Sequence, residues 1–111
     1  MRDMIDVKGA SGAVYRFNLF RDGRPLSPMG GNFIYVREAG EGYEIVLVGE
    51  GQNLLTDART RWGKAAAEHG VQHLFTRLNI TERVRVHEHD DIVAATHPPM
   101  NAPVAADSGE R

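Results

Sequence analysis

The chain reads as an α+β domain, a small and mostly antiparallel β-sheet flanked by helices. Three observations carry that class. Segments 14–20, 33–37 and 43–48 are apolar runs of strand length, alternating or continuous. From Asn53 the apolar spacing changes to a helical one. Glycine- and proline-rich breaks separate these segments and account for the remaining chain.

Length and composition support one compact domain: 111 residues, 41% hydrophobic and 25% charged. There is no cysteine, which excludes disulfides, thiolate metal sites and cysteine nucleophiles. The opening residues Met1 to Asp6 mix charge with too little apolar length for a signal peptide, and no run approaches a membrane span. A cytoplasmic location without membrane contact is the expectation. A net charge of -2 argues against gripping nucleic acid by bulk electrostatics, so only a local patch of cations would serve.

In chain order, Lys8 to Ala13 is a glycine-containing turn that matches no phosphate-loop spacing. Val14 to Phe20 alternates at period two, with Tyr15, Phe17 and Leu19 on one side, and ends at the Asp22-Gly23 turn. Pro25, Pro28 and Gly30-Gly31 make a loop. Phe33 to Arg37 and Tyr43 to Val48 form a hairpin through Glu38 to Gly42, the second arm reading as a central strand buried on both faces. Together these segments predict an antiparallel meander. Asn53 to His69 is helical, with Leu54, Ala58, Trp62 and Ala65 on one face, and Gly70 supplies a left-handed stop. His73 to Ile80 is a fourth strand. Asn79 with Glu82 reads as a capping pair for a helix to about Thr96, which Pro98 and Pro99 terminate. Residues 102–111 are short and polar and read as a disordered tail.

A spaced skeleton runs through these elements. It comprises Gly31-Asn32-Phe33-Ile34-Tyr35-Val36, then Val46-Leu47-Val48-Gly49-Glu50 with Asn53-Leu54, and finally Pro98-Pro99-Met100-Asn101. In order and spacing, segment 31–101 resembles the GIY-YIG nuclease domain, preceded by an N-terminal strand and loop over residues 1–30. The resemblance implies metal-dependent phosphodiester hydrolysis. In that family two hairpin tyrosines, an arginine on the next helix, a metal-binding glutamate on a later helix and a closing asparagine build the site. Phe33 stands at the first tyrosine position, Leu47 at the second, and Gly49 matches the motif glycine. Asp57 falls at the arginine position and His89 at the glutamate position, while Asn101 keeps its identity.

Those departures have chemical weight. Hydrolysis needs an activated water, positive charge on the developing oxyanion and a proton route, and phenylalanine and leucine carry no hydroxyl. An aspartate in place of arginine reverses the sign of the local field. The substitutes within reach are Tyr35 near the water, Arg61 on phosphate, Glu88 or His89 on Mg2+ or Mn2+, and Asn101 orienting the site. The plainer alternatives are an ion pair between Asp57 and Arg61, four apart on a helix, and a Glu88 paired with Arg77 or Arg85. In His87-Glu88-His89-Asp90-Asp91, only His87 and Asp91 stack on one face, too few for a closed metal site. For DNA or RNA phosphates the candidates are Arg59, Arg61 and Lys64 on the first helix and Arg77, Arg83 and Arg85 near the second, interleaved with acids. The sequence thus points to a nuclease-like, nucleic-acid-associated domain with a degenerate site. The alternative is a non-catalytic module that pairs with a protein partner through the sheet and its extra strand.

Overall fold

The computed structural model describes residues 1–102. Five strands, β1 (Met4–Lys8), β2 (Val14–Leu19), β3 (Gly31–Ala39), β4 (Gly42–Gly51) and β5 (His73–Leu78), form one sheet. Helices α1 (Leu54–Asp57), α2 (Trp62–His69) and α3 (Glu82–Thr96) and a 3-10 turn (Pro99–Asn101) complete it. The class is the expected α+β, with an antiparallel sheet. No helix among the described residues is long and apolar enough to cross a membrane.

The sheet order is β1-β2-β5-β3-β4, and every neighbouring pair is antiparallel. This corrects the expected meander, because β5 inserts between β2 and β3. Phe75 gives the reason: it is buried on the sheet face shared with Phe17 and Ile34, a position that a strand at the margin would leave open to water. The N-terminal extension is also a hairpin and not a single strand. In β1 the inward Ile5 and Val7 alternate with exposed Met4, Asp6 and Lys8, a period-two pattern short enough to be hidden by its charges.

The sheet carries a core on each face. On one, Ile34, Val36, Ile45, Val48 and Phe75 pack with Ile92 of α3; on the other, Phe33, Tyr35, Leu47 and Leu74 pack with Leu54, Ala58 and Ala65 of α1 and α2. Strand β4 is buried on both faces from Ile45 to Val48, as expected, yet it lies at the sheet edge and not at its centre. Its register against β3 shifts between Tyr35 and Val36, so that Val46 and Leu47 both join the α1/α2 core. A bulge of this kind puts consecutive residues on one face and bends the strand.

The expected helix over Asn53–His69 is broken at Ala58–Arg61. A buried phenol occupies the break: Tyr35 Oη donates to Ala58 O at 2.7 Å and accepts from Arg61 N at 3.3 Å. Gly70, at φ 67°, closes α2 in the left-handed conformation that glycine adopts without cost. Helix α3 begins after Thr81, not after an Asn79 cap, and β5 stops at Leu78, because the Asn79 side chain is committed to tertiary hydrogen bonds. His97 then turns left-handed at φ 47° ahead of Pro98. The expected tail, apart from Ala102, lies outside the described residues.

Candidate functional site

An open cleft of about 760 Å³ lies where the outer side of β4 meets α1, α3 and the 3-10 turn. Phe33, Gly49, Asp57, Arg61, His89 and Asn101 all line it. Its floor follows from the β3–β4 register. Phe33 is paired with Gly49, and a side chain at position 49 would collide with the Phe33 ring. The glycine is therefore required by a neighbouring aromatic and not by an unusual backbone angle.

The polar groups of the cleft are largely turned toward the protein. Asn101 Nδ2 donates to Val48 O at 2.8 Å and Oδ1 accepts from Val48 N at 2.7 Å. His89 Nε2 lies 3.2 Å from the same carbonyl, and Nδ1 lies 2.9 Å from Asp90 Oδ1. Each ring nitrogen is thus taken up by an oxygen atom of the protein and neither is left aimed into the cleft for a metal. Asp57 accepts from Asn53 N at 3.2 Å and Thr56 Oγ1 at 3.1 Å. Arg61 donates to Met100 O at 3.3 Å, so the expected Asp57–Arg61 ion pair does not form.

Glu88 sits outside this cleft. Its Oε1 accepts from Arg77 Nε and Asn79 Nδ2, each at 2.9 Å, which is the plainer pairing. The same Asn79 Nδ2 reaches Oδ1 of the fully buried Asn32 at 2.9 Å, and Asn32 Nδ2 donates to Arg85 O at 3.0 Å. Arg85 is itself buried: Nε donates to Glu50 at 2.7 Å and Nη1 to Asn79 O and Ile80 O at 3.3 and 3.2 Å. This network satisfies polar groups that burial would otherwise penalise, and it ties the start of α3 to the ends of β3 and β5.

Tyr35 also lies apart from the cleft surface. It is fully buried, T-stacked against Trp62 at 5.0 Å, and burial raises its pKa above the ordinary phenol value, with the Arg61 amide opposing. It remains a neutral phenol that staples a helix break. Among the substitutes for the family's groups, the structure brings Arg61, His89 and Asn101 together and leaves Glu88 and Tyr35 elsewhere.

A divalent ion needs several hard donors converging on one point. Among the described residues no three His, Asp or Glu side chains come together to hold one. Glu88 and His89 fit Mg2+ or Mn2+ poorly, since one faces Arg77 and the other faces Val48 O. Of the candidate phosphate contacts, Arg77 and Arg85 are occupied by Glu88 and Glu50, whereas Arg59, Arg61 and Lys64 are exposed on the α1–α2 segment. The Arg59 guanidinium lies 5.5 Å above the Phe20 ring.

Asp91, read with His87 as a polar helix face, has a structural role instead. It accepts from Ser11 N at 2.8 Å, Ser11 Oγ at 2.7 Å and Tyr15 Oη at 2.7 Å, clasping the β1–β2 turn to α3. The Ser11 and then the Tyr15 hydrogen bonds hold its carboxyl below the ordinary aspartate value. Tyr15 is raised in turn, by desolvation first and by Asp91 second.

Comparison of the chain with protein-family models, curated proteins and solved structures finds no match. Among the groups not singled out in sequence, Glu50, Asn32 and the Ser11–Tyr15–Asp91 clasp matter most. A readable signal existed for Asn32, a polar side chain inside an otherwise apolar strand.

Proposed function

We propose that this chain is a divergent GIY-YIG-like domain that has lost phosphodiester hydrolysis and acts as a nucleic-acid-associated binding domain. One observation carries the reading: positions marked by the resemblance (Phe33, Gly49, Asp57, His89 and Asn101) face one cleft, without a hydroxyl from the motif tyrosines or a metal-holding trio among the described residues. Fold and chemistry separate readily, because hydrolysis depends on a few side chains and the skeleton on many.

Contact with nucleic acid then falls to the exposed Arg59, Arg61 and Lys64 of the α1–α2 segment, of which Arg61 lines the cleft. Three phosphate contacts give weak, salt-sensitive binding, with log affinity against log salt falling at a slope of about -3 for duplex DNA. The test pairs two measurements on the full chain. Incubation of mixed DNA and RNA substrates with Mg2+ or Mn2+ is expected to leave them uncut, while fluorescence anisotropy at low salt detects binding that Arg59→Ala, Arg61→Ala and Lys64→Ala each weaken. Metal-dependent cleavage abolished by His89→Ala contradicts the loss of catalysis. Absence of binding at low salt contradicts the nucleic-acid association.

A further inference from the structure

The loop between β2 and β3 turns at Asp22-Gly23, the one aspartate–glycine pair in the chain. Arg24 N donates to Arg21 O at 3.2 Å across the turn, and Gly23 sits at φ 87°, the left-handed angle that glycine supplies at the third position of a type II turn. Both residues are exposed. Asp22 also borders an open groove of about 750 Å³ shared with Phe20, Arg59 and Trp62, so water reaches its carboxyl. Nothing stands within 4 Å of the point where a Gly23 side chain would begin.

Aspartate followed by glycine is chemically labile for a steric reason. The Gly23 amide nitrogen can attack the carbon of the Asp22 side-chain carboxyl. A C–N bond forms, a C–O bond breaks, and the proton of the nitrogen leaves with the hydroxyl as water. The product is a five-membered succinimide ring, which a side chain on the following residue would crowd. Water then opens the ring at either carbonyl. Attack at the side-chain carbon restores aspartate, whereas attack at the main-chain carbon routes the backbone through Cβ and leaves the α-carboxylate as the side group. The net composition is unchanged, and no reactant besides water enters.

Folding decides whether this happens, because ring closure requires the Asp22–Gly23 peptide to rotate out of its turn with a free amide. Among the described residues, Gly23 N donates to no main-chain acceptor and Asp22 joins no ion pair. The Arg24–Arg21 bond is what resists the rotation. The remaining described aspartates are each restrained. Asp3 precedes Met4 and pairs with Arg21. Asp6 precedes Val7, which lies in the β1–β2 ladder opposite Tyr15. Asp57 precedes Ala58, whose amide donates to Leu54 O at 3.0 Å. Asp90 and Asp91 lie within α3. The loop also tolerates the product. Phe20 N donates to Leu74 O on one side and Leu26 is buried on the other, so one extra backbone carbon is absorbed between two fixed ends.

We propose that Asp22 is a site of spontaneous isoaspartate formation in the folded protein, a covalent change confined to the β2–β3 turn. It is independent of the nucleic-acid reading. The full chain is incubated at neutral pH and physiological temperature, both native and in guanidinium chloride, and then digested. Peptides containing Asp22 are separated, and an endoprotease that cuts before aspartate but not before isoaspartate identifies the isomer. The expected result is accumulation at Asp22 in the native chain at a rate within about ten-fold of that in denaturant, the most that one turn hydrogen bond withholds. The other described aspartates remain intact over the same period. Asp22→Glu, whose carboxyl would need a larger ring, stops the reaction. Asp22→Asn reaches the same succinimide faster by losing ammonia, and it carries the comparison if Asp22→Glu fails to fold. Isomer formed only in denaturant, equal accumulation at another described aspartate, or an Asp22→Asn rate no faster than that of the parent chain overturns the proposal.

Discussion

The side-chain amide of Asn101 meets the main chain of Val48 as a neighbouring strand would, donating at 2.8 Å to its carbonyl and accepting at 2.7 Å from its amide. In this way the last described turn caps the exposed edge of β4 and anchors the C-terminal end of the fold. Asn101→Ala removes both bonds and leaves Val48 dependent on water and His89. The expected loss is about 1–3 kcal/mol, read as a lower urea midpoint at unchanged m-value. Asn101→Asp restores the acceptor toward Val48 N but repels Val48 O, so it rescues stability only in part.

Phe33 and Gly49 form the second coupled pair, since the ring fills the space a side chain at position 49 would take. Gly49→Ala is expected to cost about 1–3 kcal/mol by overpacking. Truncating the ring in a Phe33→Leu background should relieve part of that cost. A double-mutant cycle by denaturant unfolding measures the coupling, and additive losses would contradict the packing account.

Tyr35→Phe tests whether the phenol is structural. Removing the hydroxyl leaves Ala58 O and Arg61 N without their partner at the break between α1 and α2. The expected effect is a loss of about 1–2 kcal/mol and faster amide exchange around Ala58–Arg61, with nucleic-acid affinity changed less than by Arg61→Ala.

The clasp at Asp91 predicts a pH dependence with a definite sign. Its folded-state pKa is lowered, chiefly by Ser11 and then Tyr15, so its contribution is fully present above the unfolded value of about 3.9. That contribution disappears as pH falls through the folded value. Asp6, lowered by Arg16, and Glu38, lowered by His73, act in the same direction. The thermal midpoint should therefore fall as pH drops below about 5, and Asp91→Asn should flatten part of that slope. Because these carboxylates are at least partly exposed, the effect should shrink at high salt.

Much of the architecture was legible because it rests on local periodicity. The hairpin from Phe33, the helical face carrying Leu54 and Ala65, the Gly70 stop and the Pro98 terminator each follow from a few adjacent residues. What escaped depends on partners distant in sequence. Nothing near His73 indicates that β5 slots between β2 and β3, and nothing near Ala58 reveals that Tyr35 interrupts the helix. The cleft shows the same division. Asn101 and His89 could be placed by counting along the chain, but Glu88 is drawn to Arg77 and Asn79 by contacts that only the folded sheet creates.

The central claim, that the cleft lacks the means to hold a catalytic divalent ion, is tested most directly by titrating Mn2+ into the isotopically labelled chain and following paramagnetic broadening of its amide resonances. The account predicts no saturable broadening focused on Val48, Gly49, His89 and Asn101. Stoichiometric, localised broadening there, abolished by His89→Ala and competed by Mg2+, would contradict it.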